Sequence, residues 1–389
     1  MPWKEVSAMS LREEFVALAR TEGANVSALC RRYRVSRKTG YKWLARYAEE
    51  GSAGLADQSR RPRHSPTRTP ETIEALLVTA RQMHPAWGAR KIRVYLERQG
   101  QWGLPVASTI TQILRRQGLL EADESAKHRP LQRFEHAAAN DLWQMDFKGH
   151  FGLKSGGRCH PLTVLDDHSR FAVGLEACGN ERTDTVQQRL TSMFRRYGLP
   201  RRILADNGSP WGGGDCREYP YTPLTVWLLL LGVAVSHGRP YHPQTQGKDE
   251  RFHRTLGLEL LSRRTFRDLP QCQQAFDPWR DEYNLQRPHQ ALNMEVPAGR
   301  YRQSPREFPE ALPPLEYSDG SEVRRVSSVG HISYRGRMLH VGKAFRGYPV
   351  AVRPTCDDGV LAVWFACHRL GVIELREEQP RLRKVRDEH

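Results

Sequence analysis

The sequence lacks the cysteine pairs and the long apolar runs that mark several common classes of protein. None of its seven cysteines forms a C-x-x-C motif, which argues against a zinc knot or a disulfide framework and predicts reduced, mostly structural thiols. The longest apolar run, residues 226–231, is too short to span a bilayer, and no signal-peptide pattern opens the sequence. We therefore expect a soluble, cytoplasmic protein with no membrane partner.

Acidic residues are in the minority, with 44 Asp and Glu against 60 Lys and Arg and a formal net charge of +16. The basic excess is uneven, since residues 1–136 carry 24 Lys and Arg but only 14 Asp and Glu. A surplus of this kind attracts a polyanion by releasing its counterions. It favours nucleic acid as the partner, although a merely basic, soluble protein is the alternative. The length of 389 residues predicts several domains.

Residues 1–50 predict a helix-turn-helix domain of three helices. Asn25 and Ser36 are suitable N-caps for the second and third helices, and the turn between these helices is short. A basic third helix that begins at such a cap is typical of a recognition helix in the major groove of double-stranded DNA. A three-helix bundle with a solvated basic face is the alternative. The residues of this helix that we expect to contact DNA are Arg37, Lys38, Lys42 and Arg46.

Two linkers flank a second helical domain. Residues 51–69 have no apolar period and several arginines, so this linker either lies along DNA or is a solvated tether. Residues 70–121 contain apolar stripes at helical spacing and predict a second helix-turn-helix-like domain, whereas residues 122–137 are polar and predict another linker. The arginines of these segments that we expect to contact DNA are Arg60, Arg61, Arg63, Arg115 and Arg116.

Strand patterns begin at about residue 138. Residues 138–302 contain three short apolar strands followed by alternating helices and strands, which is the order of an RNase H-like α/β catalytic core. Residues 315–380 consist mainly of short strands and predict a small C-terminal β-barrel. The expected fold class is therefore multidomain, with all-α helix-turn-helix domains, an α/β core and a β-barrel in that order.

Three carboxylates of the core lie where a metal site is expected. Asp146 lies in the first predicted strand, Asp206 at the end of the fourth, and Glu250 in the first turn of a long helix. Strand ends and helix starts converge on one edge of an open α/β sheet. Carboxylates suit Mg²⁺ or Mn²⁺, and three of them can hold the two ions of an in-line phosphoryl displacement. Each acid alone also suits a turn or a helix start, but their combination favours a two-metal site.

Three stretches of sequence resemble the integrase core of bacterial insertion-sequence transposases. They are Trp143-Gln144-Met145-Asp146, Asp206-Asn207-Gly208-Ser209 and residues 239–256, RPYHPQTQGKDERFHRTL. The sequence is most similar to the IS481 family, with the IS3 family and retroviral integrases as more distant relatives. The resemblance covers about residues 10–300. It implies that Asp146, Asp206 and Glu250 form a DDE triad, which cuts transposon ends and joins the freed 3′-hydroxyls to target DNA.

The sequence departs from this family in two places. Asp206 and Glu250 are separated by 43 residues, more than in many related cores, and the surplus falls around residues 212–220. Relatives often carry a basic residue two turns after the catalytic Glu, where this sequence has Gly257, so Arg254 is the expected DNA contact instead. The zinc cluster of retroviral integrases is absent, and we expect no zinc. Further expected DNA contacts near this helix, with loop-shaping as the alternative for the first two, are His242, Gln246 and Lys248.

Three other acidic residues of the core are assigned smaller roles than the predicted metal ligands. Asp249 would point about 100° away from Glu250 on a helix, so it is treated as a spare. Asp166 and Asp167 lie between two predicted strands and suit a hairpin turn better than a fourth metal ligand.

The function that we expect is that of a DNA transposase, which binds the terminal inverted repeats of its element and uses Mg²⁺ or Mn²⁺ for cleavage and strand transfer. Because synapsis of two ends needs at least two protomers, we expect a homo-oligomer assembled on DNA. The alternatives are a catalytically silent DNA-binding regulator and a plain RNase H-like nuclease. The three acids argue against the regulator, while the two helix-turn-helix patterns and residues 239–256 argue against the nuclease.

Overall fold

The structure is a computed structural model that describes seven stretches of the chain. These are residues 8–57, 68–120, 135–212, 221–237, 247–318, 320–378 and 380–383. Two compact units are present, Met1–Arg68 and Thr69–His389, and the division between them falls inside the predicted linker 51–69. In the parts that the structure describes, no helix is both long and apolar enough to cross a bilayer.

The first unit contains the three helices predicted for a helix-turn-helix domain. They are α1 (Ala8–Ala19), α2 (Val26–Arg32) and α3 (Arg37–Glu50). The side chains of Asn25 and Ser36 each accept a hydrogen bond from the backbone N–H three residues later, at 3.0 and 3.1 Å. Both predicted N-caps are therefore confirmed, and they fix where α2 and α3 begin.

The core of this unit forms where α3 packs against α1 and α2. Its buried side chains are Phe15, Val16, Cys30, Trp43 and Leu55. The helices approach closely at Gly40, where a Cβ atom would lie 2.5 Å from the sulfur of Cys30 and 2.9 Å from the ring of Phe15. This close approach requires glycine, although glycine is unfavourable inside a helix.

The second unit begins with three more helices. They are α4 (Glu71–Met83), α5 (Ala89–Arg98) and α6 (Ala107–Arg116). Their apolar faces meet in a core that includes Leu77, Trp87, Ile92, Leu96, Ile110 and Leu114. These helices match the apolar stripes that predicted a second helical domain.

The α/β core is built on a six-stranded sheet. Its strands are β1 (Trp143–Phe147), β2 (Phe151–Gly152), β3 (Arg158–Asp166), β4 (Ala172–Cys178), β5 (Arg202–Ala205) and β6 (Ala234–His237). The order is β2-β3-β1-β5-β6, with β4 also paired to β3. Strands β1, β3 and β4 pair antiparallel, whereas β1, β5 and β6 pair parallel. The predicted α/β core is confirmed, although four strands, and not the predicted three, precede the first helix of the core, because the short β2 also pairs with β3.

Helices cover both faces of this sheet. They are α7 (Thr183–Tyr197), α8 (Pro223–Leu230), α9 (Gly247–Glu259), α10 (Leu269–Leu285) and the short α11 (Pro297–Arg300). Helices α7 and α8 pack on one face, where Phe194 and Leu228 join the core that contains Trp143. Helices α9 and α10 supply Phe252 and Phe276 to a second core on strands β3 and β4. The carboxyl end of β5 and the start of α9 therefore lie in the same layered α/β core as β1.

The helices α4–α6 are attached to this core through the ends of α9 and α10. The indole nitrogen of Trp87 donates to the carboxylate of Glu259 at 3.2 Å, and Arg287 Nε donates to the same oxygen at 3.0 Å. Nδ1 of His84 lies 2.9 Å from a carboxylate oxygen of Glu282. Arg287 and Glu259 are both largely buried, so the contact at Glu259 between the helices α4–α6 and the core belongs to the interior of the second unit.

The C-terminal strands form two sheets and not the predicted barrel. Strands β7 (Glu322–Arg325), β10 (Pro349–Pro354), β11 (Val360–Phe365) and β12 (His368–Glu374) form an antiparallel sheet in the order β12-β11-β10-β7, while β8 (His331–Tyr334) and β9 (Arg337–His340) form a separate two-stranded ladder. Isolated bridges join His340 of β9 to Arg381 and Val372 of β12 to Arg383, but within the described ranges no ladder joins β7 to β12, so the strands do not close into a barrel. Strand periodicity alone did not predict which strands pair.

Candidate active site

Asp146 lies on β1, beside the point where the parallel strands end. Its neighbours Trp143 and Met145 are buried in the sheet core, whereas the Asp146 side chain is 27% exposed. Its carbonyl oxygen accepts a hydrogen bond from the hydroxyl of Thr163 at 3.0 Å. Burial, and then the negative charge of Asp206, raise the pKa of the Asp146 carboxyl to about 7. Glu181 and Glu250 contribute smaller increases, so several carboxylates lie within electrostatic range of Asp146.

Asp206 follows the last residue of β5, and β5 pairs parallel with β1. One oxygen of its carboxylate accepts hydrogen bonds from the backbone N–H of Gly208, at 2.9 Å, and from the indole N–H of Trp211. The indole of Trp211 stacks on Phe147, with ring centroids 5.3 Å apart. The Trp211 ring therefore connects the loop after β5 to the end of β1. This contact helps to keep Asp146 and Asp206 beside each other on neighbouring strands.

Glu250 lies in the first turn of α9 and is exposed, while Phe252 and Leu256 anchor the helix to the sheet. In the structure, the charges of Asp206 and Glu250 therefore both act on the Asp146 carboxyl. The structure does not bring the three residues into direct contact, because no group of three acidic, His or Cys side chains among the described residues is close enough to hold a metal ion. The assignment of these three residues as ligands stays a prediction.

Asp249 is placed opposite to its neighbour Glu250. Its carboxyl is fully buried, and across the described residues neither oxygen has a hydrogen-bond partner. Burial raises the pKa of Asp249 well above its ordinary value, and the charges of Asp146 and Asp167 raise it further. This environment therefore favours the protonated form of a side chain that is directed into the protein, which agrees with the predicted separation of the two side chains around α9.

The predicted turn at Asp166 and Asp167 is confirmed, since it joins β3 to β4, but Asp167 also binds a side chain of α9. Its buried carboxylate accepts hydrogen bonds from Gln144 Nε2 at 2.8 Å, from the backbone N–H of His136 at 2.9 Å, and from the ammonium of Lys248. Lys248, which we predicted to contact DNA, is thus engaged inside the protein. Burial lowers the pKa of Lys248, although Asp167 opposes that decrease.

His253 is a site residue to which the sequence assigned no role. Its Nε2 lies 2.8 Å from the Thr163 hydroxyl, and its Nδ1 lies 4.0 Å from a carboxylate oxygen of Asp146. Because the hydroxyl proton goes to the Asp146 carbonyl, Nε2 carries the ring hydrogen and the lone pair of Nδ1 faces Asp146. Burial, and then the charge of Lys148, lower the pKa of His253 to about 4, so the ring is neutral. Its position three residues after Glu250 on one helix was the available signal.

The other predicted DNA contacts are distributed over several surfaces. On α3, Arg37, Lys38 and Lys42 are exposed, and the ammonium of Lys42 and the guanidinium of Arg46 lie 4.6 and 5.2 Å from the centroid of the Trp43 ring. Of the remaining predicted contacts, Arg115 and Arg254 are exposed and Arg116 pairs with Glu74 at 2.7 Å. The others lie outside the described residues: Arg60, Arg61, Arg63, His242 and Gln246.

Comparison with protein-family models agrees with this division of the chain. A helix-turn-helix domain matches residues 11–63, and a homeodomain-like domain matches residues 39–114. Integrase core domains match residues 136–243 and 231–297, and together these ranges contain all three predicted carboxylates. The C-terminal domain of IS481 family transposases matches residues 321–381. The resemblance to the IS481 family is confirmed.

Two insertion-element proteins are similar to this chain over 258 aligned residues and cover 64% of it. The 31.7 kDa protein of insertion element IS407 from Burkholderia multivorans is 26% identical over 89% of its own length. The 39.2 kDa protein of IS476 from Xanthomonas euvesicatoria is 26% identical over 71% of its own length. Together with the integrase core and helix-turn-helix matches, they support a DNA transposase, an enzyme of the polynucleotidyl transferase type.

Among solved structures, the catalytic core domain of BIV integrase is 20% identical over 42% of this chain and 93% of its own, with a TM-score of 0.32. That score is too low to add weight to the fold or the function.

Proposed function

We propose that the chain is a DDE transposase, which binds the terminal inverted repeats of its element and catalyses Mg²⁺-dependent cleavage and strand transfer in an RNase H-like core. The observation that carries this proposal is the pairing of β1 with β5 in parallel, since it brings Asp146 and Asp206 to adjacent strands beside the start of the helix that bears Glu250. Strand ends at such an edge are where α/β proteins bind their ligands.

The residues at this edge fit a divalent metal ion. All three donors are carboxylates, the ligand type that Mg²⁺ and Mn²⁺ prefer. The pKa of Asp146 is raised partly by Asp206 and Glu250, and a bound cation would relieve that repulsion between carboxylates. When bound, Mg²⁺ would polarise the scissile phosphate and assist the attacking and leaving oxygens. Two ions and these three ligands are our proposal.

The protein's own groups orient the carboxylates. Trp211 and Gly208 hold one oxygen of Asp206, which leaves the other oxygen available to a ligand. The neutral ring of His253 places a lone pair, and no competing positive charge, toward Asp146. The exposed basic face of α3 suits the major groove of the repeat DNA. Assembly of two or more protomers on DNA and a cytoplasmic location complete the proposal.

Labelled element-end DNA, unlabelled target DNA and Mg²⁺ test this function with the full-length protein. Wild type should cut the end and join it to the target, Asp206→Asn should do neither, and Glu295→Gln, which removes an exposed acid of the core with no ion pair among the described residues, should match wild type. Cutting without joining would favour a nuclease. Specific end binding with no cutting under any metal would favour a DNA-binding regulator and refute the catalytic proposal.

A further inference from the structure

A basic groove lies beside the carboxylate edge, between the β1–β2 region and the segment that follows α9. It encloses a cavity of about 520 Å³. Three cationic side chains, Lys148, Lys154 and Arg264, line it together with the imidazole of His150, and no Asp or Glu lines it in the described chain. We call this surface the Lys148 groove. None of the comparisons assigns it a role.

The walls of the Lys148 groove are joined by backbone hydrogen bonds. Lys154 N donates to the carbonyl of Phe266 at 3.0 Å, and the backbone N–H and hydroxyl of Ser155 donate to the carbonyl of Arg267 at 3.0 and 2.7 Å. Phe266 is buried and packs near Phe151, with ring centroids 5.6 Å apart. The loop after β2 and the segment around Phe266 therefore form one unit, and the concavity is a built feature of the fold.

Lys148 places the groove next to the candidate active site. Lys148 is two residues beyond Asp146, and its charge contributes to the lowered pKa of the active-site His253. Its Cε would lie 3.8 Å from a Cβ at position 257, an ordinary contact distance, so the Lys148 stem runs across α9 at Gly257. A cation from the residue that follows β1 thus occupies the side of α9 two turns beyond Glu250, at the position that lacks a basic side chain of its own.

Among the described residues, the cations of the groove have no carboxylate partner. Over the part of the chain that the structure describes, no carboxylate forms an ion pair with Lys148, Lys154 or Arg264, whereas Lys248 and Arg116 pair with Asp167 and Glu74. Grouping unpaired like charges in one concavity is unfavourable for stability, and it creates a local positive potential that concentrates polyanions.

From this geometry we propose that the Lys148 groove binds the sugar-phosphate backbone of DNA next to the carboxylate edge. The inference rests on the proposed function, because it takes DNA as the substrate. The phosphates belong either to the element end or to the target, and these two sources share the same chemistry. Each cation that neutralises a phosphate should contribute about 0.9 to the slope of log affinity against log salt concentration.

The test measures DNA binding by fluorescence anisotropy at several salt concentrations, with EDTA present so that chemistry plays no part. The full-length Lys148→Gln/Lys154→Gln/Arg264→Gln variant is compared with Arg196→Gln/Arg201→Gln/Arg302→Gln, which removes three exposed cations from outside the groove. The probes are an element-end duplex and an unrelated duplex. We expect the groove variant to lower the salt slope by about 2 to 3 on at least one duplex and the control to lower it less.

A loss confined to the end duplex assigns the element end to the groove, and a loss confined to the unrelated duplex assigns the target. Equal slopes for wild type and groove variant on both duplexes would overturn the proposal. If the triple variant does not fold, the single variants Lys154→Gln and Arg264→Gln, both at exposed positions, must each lower the slope by about 1. Failure of catalysis leaves these binding results intact, so the two proposals fail separately.

Discussion

Asp146→Asn should stabilise the metal-free protein at alkaline pH. The folded state raises the pKa of this carboxyl from 3.8 to about 7, mainly through burial and the charge of Asp206. A folded pKa above the unfolded value means that the contribution of this group to stability is present below about pH 4 and is lost as pH rises to about 7. Each tenfold difference in proton affinity corresponds to about 1.4 kcal/mol, so full loss is about 4 kcal/mol.

The gain expected from the variant is smaller than that limit. The Asp146 side chain is 27% exposed, and contact with water screens its charge, so we expect Asn to stabilise the metal-free protein by about 2 kcal/mol at pH 8. At pH 4 the wild-type carboxyl is already protonated in the folded state, and this advantage should vanish. Asn also removes a metal ligand, so Mg²⁺ should stabilise wild type and not the variant.

Urea unfolding followed by tryptophan fluorescence measures these differences at pH 4 and pH 8, in EDTA and in Mg²⁺. Glu295→Gln is the matched control, because it removes an exposed acid of the same core that has no ion pair among the described residues. An Asp146→Asn protein that is no more stable than wild type at pH 8 in EDTA would refute the electrostatic argument. A variant stabilised by Mg²⁺ as much as wild type would refute the role of Asp146 as a ligand.

Three further predictions concern other contacts. Asp167→Asn leaves the largely buried ammonium of Lys248 without its ion pair, so urea unfolding should show a loss of about 3 kcal/mol and end cleavage should fall; a loss below 1 kcal/mol would contradict it. His253 should titrate near pH 4 by nitrogen NMR, and because its folded pKa is depressed, its contribution to stability should be lost as pH falls from about 6.5 to 4; a normal imidazole titration would exclude this environment. Gly40→Ala places a Cβ 2.5 Å from a buried sulfur and should destabilise the first unit by about 1–3 kcal/mol in thermal unfolding, and an unchanged transition would show that the helices can separate there.

Features that depend on a few neighbouring residues were predictable. The side-chain oxygens of Asn25 and Ser36 are close to the N–H groups that they cap, so these residues alone predict where α2 and α3 begin. The turn at Asp166 and Asp167 depends on local turn chemistry in the same way. The predicted order of the three carboxylates along strands and helix rests on such local patterns as well.

The sequence by itself thus determined the kinds of elements, their order and the α/β class of the core. Only the tertiary structure decided that the C-terminal strands form a sheet and a hairpin, that Lys248 is paired with a residue 81 positions away, and that Lys148 lies across α9 at Gly257. It also decided that Asp249 is buried while Glu250 meets solvent. The physical reason is range: caps and periodicity act within a few residues, whereas the pairing of charges and strands depends on which distant surfaces pack together.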